Sequence, residues 1–348
     1  MFRNKSEFKV LAAYNGDSIL VKTFTADLNE FVILIDGGTA ATFNYSLRKE
    51  LEGITKIDLL VLTHNDSDHI GGLIAFFKSS KIENIEISNI WVNNPNLIEV
   101  NQGEQISYRQ AATLESLIKE VKPDSIINNY IHSSNNQYNF SGIKLDILSP
   151  SKVILDAIYT TWPSNDNANE QISKISDMID IASYDRPLKE LSLEAFSPDS
   201  SITGDIVNAS SISFVLYCPD IKILFLADSR SEVIYECLSA DYCPTNKLIV
   251  DFVKVSHHGS KNNTSCMLLD LIDCNNFIIS TNGGISTHRH PSRETIARII
   301  YHNGRDMTIK RNLYINYSIE SIKERNGEFI NDDDFLSGNW HFTFENQF

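Results

Sequence analysis

One short stretch has the residue types and spacing to bind metal ions. His64-Asn65-Asp66-Ser67-Asp68-His69 places four potential ligands within six positions, and Ile70-Gly71-Gly72 follows at once. The stretch closes an apolar run, IDLLVLTH (57–64), that reads as a β-strand. A strand end exposes side chains to a crevice while the sheet anchors the backbone. One loop at that place can direct imidazoles and carboxylates to two cations at once. The plain alternative is a polar turn before a helix, with Ser67 or Asp68 as its cap. The HxDxDH order before two glycines favours metal.

Histidine placement points the same way. Of nine histidines, six form three pairs: His64 and His69, His257 and His258, His288 and His290. Each pair follows an apolar, strand-like segment. Of the other three, His132 is the one that remains a candidate ligand.

The elements that must hold these residues are legible in outline. Residues 7–14, 17–24 and 31–38 are β-branched and apolar, separated by polar turns such as Asn15-Gly16. Short helices are expected over 43–51 and 70–80. Later, 212–218 and 222–229 read as a hairpin turned at Pro219-Asp220, followed by a helix at 231–238. Strands are expected at 249–260 and 276–284, a helix at 291–304 and a last strand at 340–346. Residues 88–95 read as a strand and 104–121 as an amphipathic helix. About 160–205 is polar and rich in Ser, Asn and Asp. We expect one domain over residues 1–348, with 81–205 as an inserted or lid segment.

Composition bounds the function. The chain has 348 residues, 42% hydrophobic and 22% charged, which excludes a largely disordered protein. No apolar run approaches the roughly 20 residues that cross a bilayer, and the N-terminus lacks a signal-peptide core. The five cysteines are odd in number and form no close CxxC pair. A cytoplasmic protein with no membrane partner is the expectation. Thirty basic residues against 45 acidic ones leave a net charge of −15, unfavourable for nonspecific binding to long polyanions. Bound divalent cations can still reverse the sign of one cleft.

Five motifs in order carry a resemblance. They are Asp36-Gly37-Gly38, HNDSDHIGG (64–72), FLADS (225–229), KVSHHGSKNNTS (254–265) and THRHPSRETIARI (287–299). The chain resembles metallo-β-lactamase-fold hydrolases, and among them the hydrolase domain of the DNA-uptake protein ComEC and its free-standing relatives. The resemblance implies an α/β fold, an αββα sandwich of two mixed β-sheets with helices outside. It also implies two divalent metal ions, Zn or Mn. His64 and Asp66 would bind the first and Asp68 and His69 the second, with Asp228 bridging. A histidine of the 257–258 pair would complete the second site. Strand alternation from Val253 favours His257, because it leaves His258 on the face of Lys254. Asp36 would orient a ligand rather than bind metal.

Asp66 stands where many members have a second histidine, a change that the ComEC-like branch shares. Its oxygen hardens the site and makes Mn²⁺ plausible beside Zn²⁺. Ala227 replaces the usual glycine before the bridging Asp, a change that is tolerable if the backbone dihedral there is ordinary. The mid-chain ligand histidine of many members has no counterpart in context, which leaves His132.

The resemblance implies hydrolysis. Two divalent ions outweigh three ligand carboxylates and would bring a bridging water's pKa toward neutrality. The hydroxide would attack a phosphodiester, with Asp68 orienting it. His288, with His290 second, would protonate the leaving oxygen. Arg289, Arg293, Ser260, Lys261 and Asn262 would contact phosphate. The expected activity is that of a phosphodiesterase or nuclease acting on a phosphodiester, a nucleotide or short single-stranded nucleic acid. The alternatives are a hydrolase of C–N, ester or thioester bonds, and a non-catalytic metal-binding partner protein.

Overall fold

In the computed structural model, which describes residues 5–93, 106–161, 186–284 and 289–348, the apolar runs build two sheets. The first has six strands in chain order: β1 (Glu7–Val10), β2 (Ile19–Phe24), β3 (Glu30–Ile35), β4 (Lys56–Leu62), β5 (Glu86–Val92) and β6 (Ile126–Asn128). β1 to β3 are antiparallel, and β3 to β6 run parallel. The second sheet begins with β7 (Gln137–Phe140), β8 (Ile143–Ser149), β9 (Ser213–Tyr217) and β10 (Lys222–Phe225), joined antiparallel. β11 (Leu248–Ile249) and β13 (Ile272–Asp273) form a separate two-stranded ladder. β12 (Phe252–Lys254), β14 (Asn276–Ile279), β15 (Arg311–Ile315) and β16 (Trp340–Phe344) continue the second sheet, all parallel to β10.

Three buried layers explain why these strands read as continuous apolar runs. Ile33, Ile35, Leu59 and Val61 point to one side and meet Phe214, Leu216, Ile223 and Phe225 of the other sheet. Their neighbours Val32, Leu34, Leu60 and Leu62 point to the other side and pack under the helix Ser67–Phe77. The second sheet buries Leu224, Val253 and Ile279 under the helices Ser231–Leu238 and Arg293–Tyr301. Strands covered on both faces need apolar residues at every position. The result is the expected αββα sandwich.

Within 81–205 the described strands belong to the two sheets themselves: β5 lies between β4 and β6, and β7 and β8 extend the second sheet. β5 is the strand expected at 88–95, begun two residues earlier, and its polar Asn89 is used: the amide donates to Asp58 O at 3.0 Å. The structure also adds β15 and the helix Ile319–Asn326, where the sequence reading assigned nothing. Among the described residues no helix is long and apolar enough to cross a membrane.

Candidate metal centre

The carboxyl ends of parallel strands from both sheets meet at one edge of the sandwich. β3 delivers Asp36, β4 delivers the 64–69 loop, β10 delivers Asp228 and β12 delivers His257 and His258. Such strand ends form the usual crevice of open α/β sheets. Asp66 holds the N-cap position of the helix Ser67–Phe77 but makes no side-chain cap hydrogen bond, so capping does not account for it. Two glycines allow the close packing here. A Cβ on Gly72 would stand 1.8 Å from Gly37 O, and one on Gly16 would stand 1.7 Å from Asp68 O. The second contact brings Asn15 alongside, and its amide donates to Asp68 Oδ2 at 2.9 Å.

Four imidazoles are held in the same tautomer. His258 Nδ1 lies 2.9 Å from Ser280 O, which can only accept. His69 Nδ1 lies 2.8 Å from the Asp36 carboxylate. Thr63 donates its hydroxyl to Asp36 Oδ2 at 2.7 Å, so Thr63 Oγ1 is left to accept from His64 Nδ1 at 3.1 Å. Asn263 donates its amide to the carbonyls of Asp228 and Ser229, which turns its Oδ1 to His257 Nδ1 at 3.2 Å. In the neutral rings every Nδ1 therefore carries the proton, and every Nε2 presents a lone pair.

Those lone pairs converge on one carboxylate. Asp228 Oδ2 lies 3.5 Å from Nε2 of His69 and of His258, 3.8 Å from that of His257 and 4.0 Å from that of His64. His64 Nε2 is 3.6 Å from Asp66 Oδ2, and His258 Nε2 is 3.9 Å from Asp68 Oδ2. Nε2 of His64, His69 and His258, with Oδ1 of Asp228, are buried without a hydrogen-bond partner. Acceptors facing acceptors at these distances repel unless a cation, or a proton in its place, lies between them. Ligands about 2.0–2.2 Å from a tetrahedral ion stand about 3.4 Å apart, close to what is seen. His64, His69 and Asp228 form one such group, and Asp68, His69 and His258 another. The residues present fit a pair of divalent cations. Electrostatics agree. Burial alone would raise the Asp228 pKa, but His258, His69 and His257 outweigh it and hold the carboxyl well below its usual range. Burial would lower His69, but Asp228 and Asp36 hold it well above the usual imidazole value, so with no cation bound a proton on Nε2 supplies the positive charge that a cation would displace.

A sequence profile described as the Metallo-beta-lactamase superfamily matches residues 13–283, most of the chain and all of these strand-end ligands. The chain belongs to the metallo-beta-lactamase superfamily. No curated protein matches it in sequence. Among solved structures, it is similar to the metallo-beta-lactamase fold protein YhfI from Bacillus subtilis. That pair has 8% identity and a TM-score of 0.44 over 99% of this chain and 98% of the other. A diphosphatase from the PhnP family gives 10%, 0.43, 99% and 97% in the same order. Zn(2+)-bound PqqB from Methylobacterium extorquens gives 8%, 0.42, 98% and 99%. The superfamily is one of metal-dependent hydrolases.

Several sequence expectations meet a different geometry in this superfamily member. The alternation argument for His257 fails at its premise. β12 ends at Lys254, and His257 and His258 occupy left-handed backbone at φ 45° and 54° in a tight turn. Lys254 is itself buried, against Asp17 of the other sheet. Both imidazoles reach Asp228, and His258 is the one that also reaches Asp68. Ala227 has φ 46°, not an ordinary dihedral, so it carries the strain that a glycine avoids.

Arg293 does not face a substrate. It is fully buried, with a bidentate pair to Asp334 at 2.6 and 3.0 Å and further bonds to the carbonyls of Phe329 and Arg186. Asn262 gives its amide to Asp199 at 3.1 Å, and Lys261 lies 3.6 Å from the same carboxylate, so both tie down a neighbouring loop. Ser260 is buried, and its carbonyl accepts from Thr295. Arg289 is half-buried. His290 is buried, with its ring 5.4 Å from that of His257. His288 lies outside the described residues. His132 packs edge-on against Tyr130 and accepts from Ser134 N, and it joins none of the ligand groups found among the described residues.

Asn15, Asp17, Thr63, Lys254, Asn263 and Ser280 escaped the sequence reading. Asn15 and Asp17 gave a signal of sorts: an Asn-Gly-Asp turn beside a strand reads as a hairpin tip, whereas here it faces inward onto Asp68.

Proposed function

We propose that the chain is a two-metal phosphodiesterase or nuclease, of the kind its motifs resemble in the ComEC hydrolase domain. The observation that carries this reading is the ligand set. Asp66, Asp68 and Asp228 alternate with imidazoles around one point, and Asp66 stays 40% exposed on its side chain. An oxygen-rich set suits hard divalent cations, Mn²⁺ beside Zn²⁺, and the hard oxygens of a phosphoryl group. Such ions, when bound, acidify water and take up charge that develops on the phosphoryl oxygens.

The chain's own residues have these roles. His64 and Asp66 hold one ion. Asp68, His69 and His258 hold the other, with His257 as the alternative in the last place. Asp228, which the Nε2 atoms of all four histidines approach, would serve both, and Asp36 orients His69 and, through Thr63, His64. Asp68, steadied by Asn15, also orients the attacking water. His290, whose ring stands beside that of the half-buried His257, delivers the proton to the leaving oxygen, with His288 as its partner from the sequence motif. Arg289 binds the phosphate. The charge of −15, together with the internal commitments of Arg293 and Lys261, favours a small phosphodiester or a short single strand over long nucleic acid.

The test is hydrolysis of bis-p-nitrophenyl phosphate by protein loaded with Mn²⁺ or Zn²⁺, beside nitrocefin and a simple lactone. Metal-dependent turnover of the phosphodiester, lost in Asp68→Ala, is expected. Turnover of nitrocefin or the lactone without the phosphodiester would overturn the reading in favour of C–N or ester hydrolysis.

A further inference from the structure

We propose that the buried Asp17–Lys254 ion pair is a positioning device for the cation centre, setting the charge behind His69 and His258, the two imidazoles nearest Asp228. The inference rests on the metal-centre reading above. Lys254 ends β12, paired with Phe225 of β10 on one side and Ile278 of β14 on the other. Its side chain thus leaves the middle of the larger sheet, and the residue is 1% exposed. Asp17 comes from the turn before β2 in the other sheet and is 2% exposed. The ammonium and Asp17 Oδ2 are in direct contact. Core packing is better served by leucine or methionine, since a buried ammonium loses its hydration. Packing therefore does not account for a lysine here.

Asp17 reaches past the lysine. Its second oxygen, Oδ1, lies 3.7 Å from His258 Nδ1 and has no hydrogen-bond partner. Asp17 also falls within one ligand-sized group with Asp36 and His69, and within another with Asp228 and His258. One carboxylate thus stands behind both imidazoles, and the lysine pins it from the far side. Negative potential behind an imidazole strengthens its lone pair toward a cation.

Charge balance gives the lysine its reason. Five carboxylates gather here: Asp17, Asp36, Asp66, Asp68 and Asp228. Two divalent cations balance four of those charges, and Lys254 balances the fifth. Without Lys254, Asp17 faces Asp36 and Asp228 with nothing to hold it in place.

The test compares wild type with Lys254→Met, Asp17→Asn and the double variant. Each is stripped of metal and titrated with Zn²⁺ against a chromophoric chelator, and the visible spectrum of the Co²⁺-loaded protein is recorded. A pair that serves folding alone loses melting temperature in the single variants and regains it in the double variant, with metal binding intact. We expect the double variant to regain its melting temperature and still bind one cation about 10–100-fold more weakly, with altered Co²⁺ bands. Wild-type affinity and spectrum in the double variant would overturn the proposal and leave the metal centre standing. A wild type that takes up no cation would overturn the metal centre, and this role with it. If Lys254→Met does not fold, the double variant, with neither charge stranded, carries the test.

Discussion

Asp36 serves two imidazoles at once: its Oδ2 lies 2.8 Å from His69 Nδ1 and 2.7 Å from the Thr63 hydroxyl, which in turn meets His64. One carboxylate thus fixes a ligand of each proposed cation site. Asp36 has φ 56°, so Asp36→Gly deletes the carboxylate while suiting the backbone. Both sites are expected to weaken about 10–100-fold. Chelator competition would reveal this, and loss at one site alone would mean that Thr63 holds His64 unaided.

The two adjacent histidines are separable. His258 is 5% exposed on its side chain and approaches both Asp228 and Asp68, whereas His257 is 27% exposed and faces His290. His258→Ala is expected to remove about one equivalent of metal. His257→Ala is expected to keep both and to slow turnover instead. Metal content by mass spectrometry decides between them, and the opposite pattern would restore His257 as the ligand.

Arg293 predicts a loss of stability rather than of substrate binding. Its removal strands Asp334, a buried carboxylate that also closes a capping box with Asn331. Arg293→Ala should cost about 3–5 kcal/mol in a denaturant titration. The KM for bis-p-nitrophenyl phosphate should stay unchanged in the fraction that remains folded. A raised KM at unchanged stability would return Arg293 to the phosphate.

His302 sets an acid limit on the fold. Burial, with the cations Arg311, Lys247 and Arg305, pushes its pKa down to about 3. It is therefore neutral, and its contact with Asp270 at 3.5 Å is a hydrogen bond rather than an ion pair. The unfolded chain takes up this proton near pH 6.5, and the folded chain only near 3. This contribution is thus complete above pH 6.5 and is lost as pH falls toward 3, by about 2 kcal/mol at pH 5. Urea unfolding of metal-free protein at pH 7 and pH 5 would show it as a steeper loss in wild type than in His302→Gln. Equal slopes would rule it out.

These cases show what a sequence can and cannot carry. The loop 64–69 stood out as a candidate because its imidazoles and carboxylates are neighbours in the chain and follow an apolar strand. Asp228 and the histidine pair were legible for the same reason. Ser280 beside His258, Asn263 beside His257 and Lys254 beside Asp17 were not. Each is an ordinary residue that gains meaning only when strands distant in sequence are laid side by side. Lys254 misled because a lysine on a strand is assumed to face water. Arg293 misled because a first-turn arginine beside a histidine motif looks available, and its partner, Asp334, lies 41 positions further on.

The centre also has an order in time. The four proposed ligands of the 64–69 loop follow a strand of the first sheet, whereas Asp228 and His258 follow strands of the second. A nascent chain that has emerged only through β6 owns one half of the cradle and none of the other. Tight uptake of cations must wait until β12 has been made and has docked. The ions therefore cannot template the early fold. In the proposed centre they join the two sheets once β12 has docked, and metal occupancy would report that the two halves of the cradle have met.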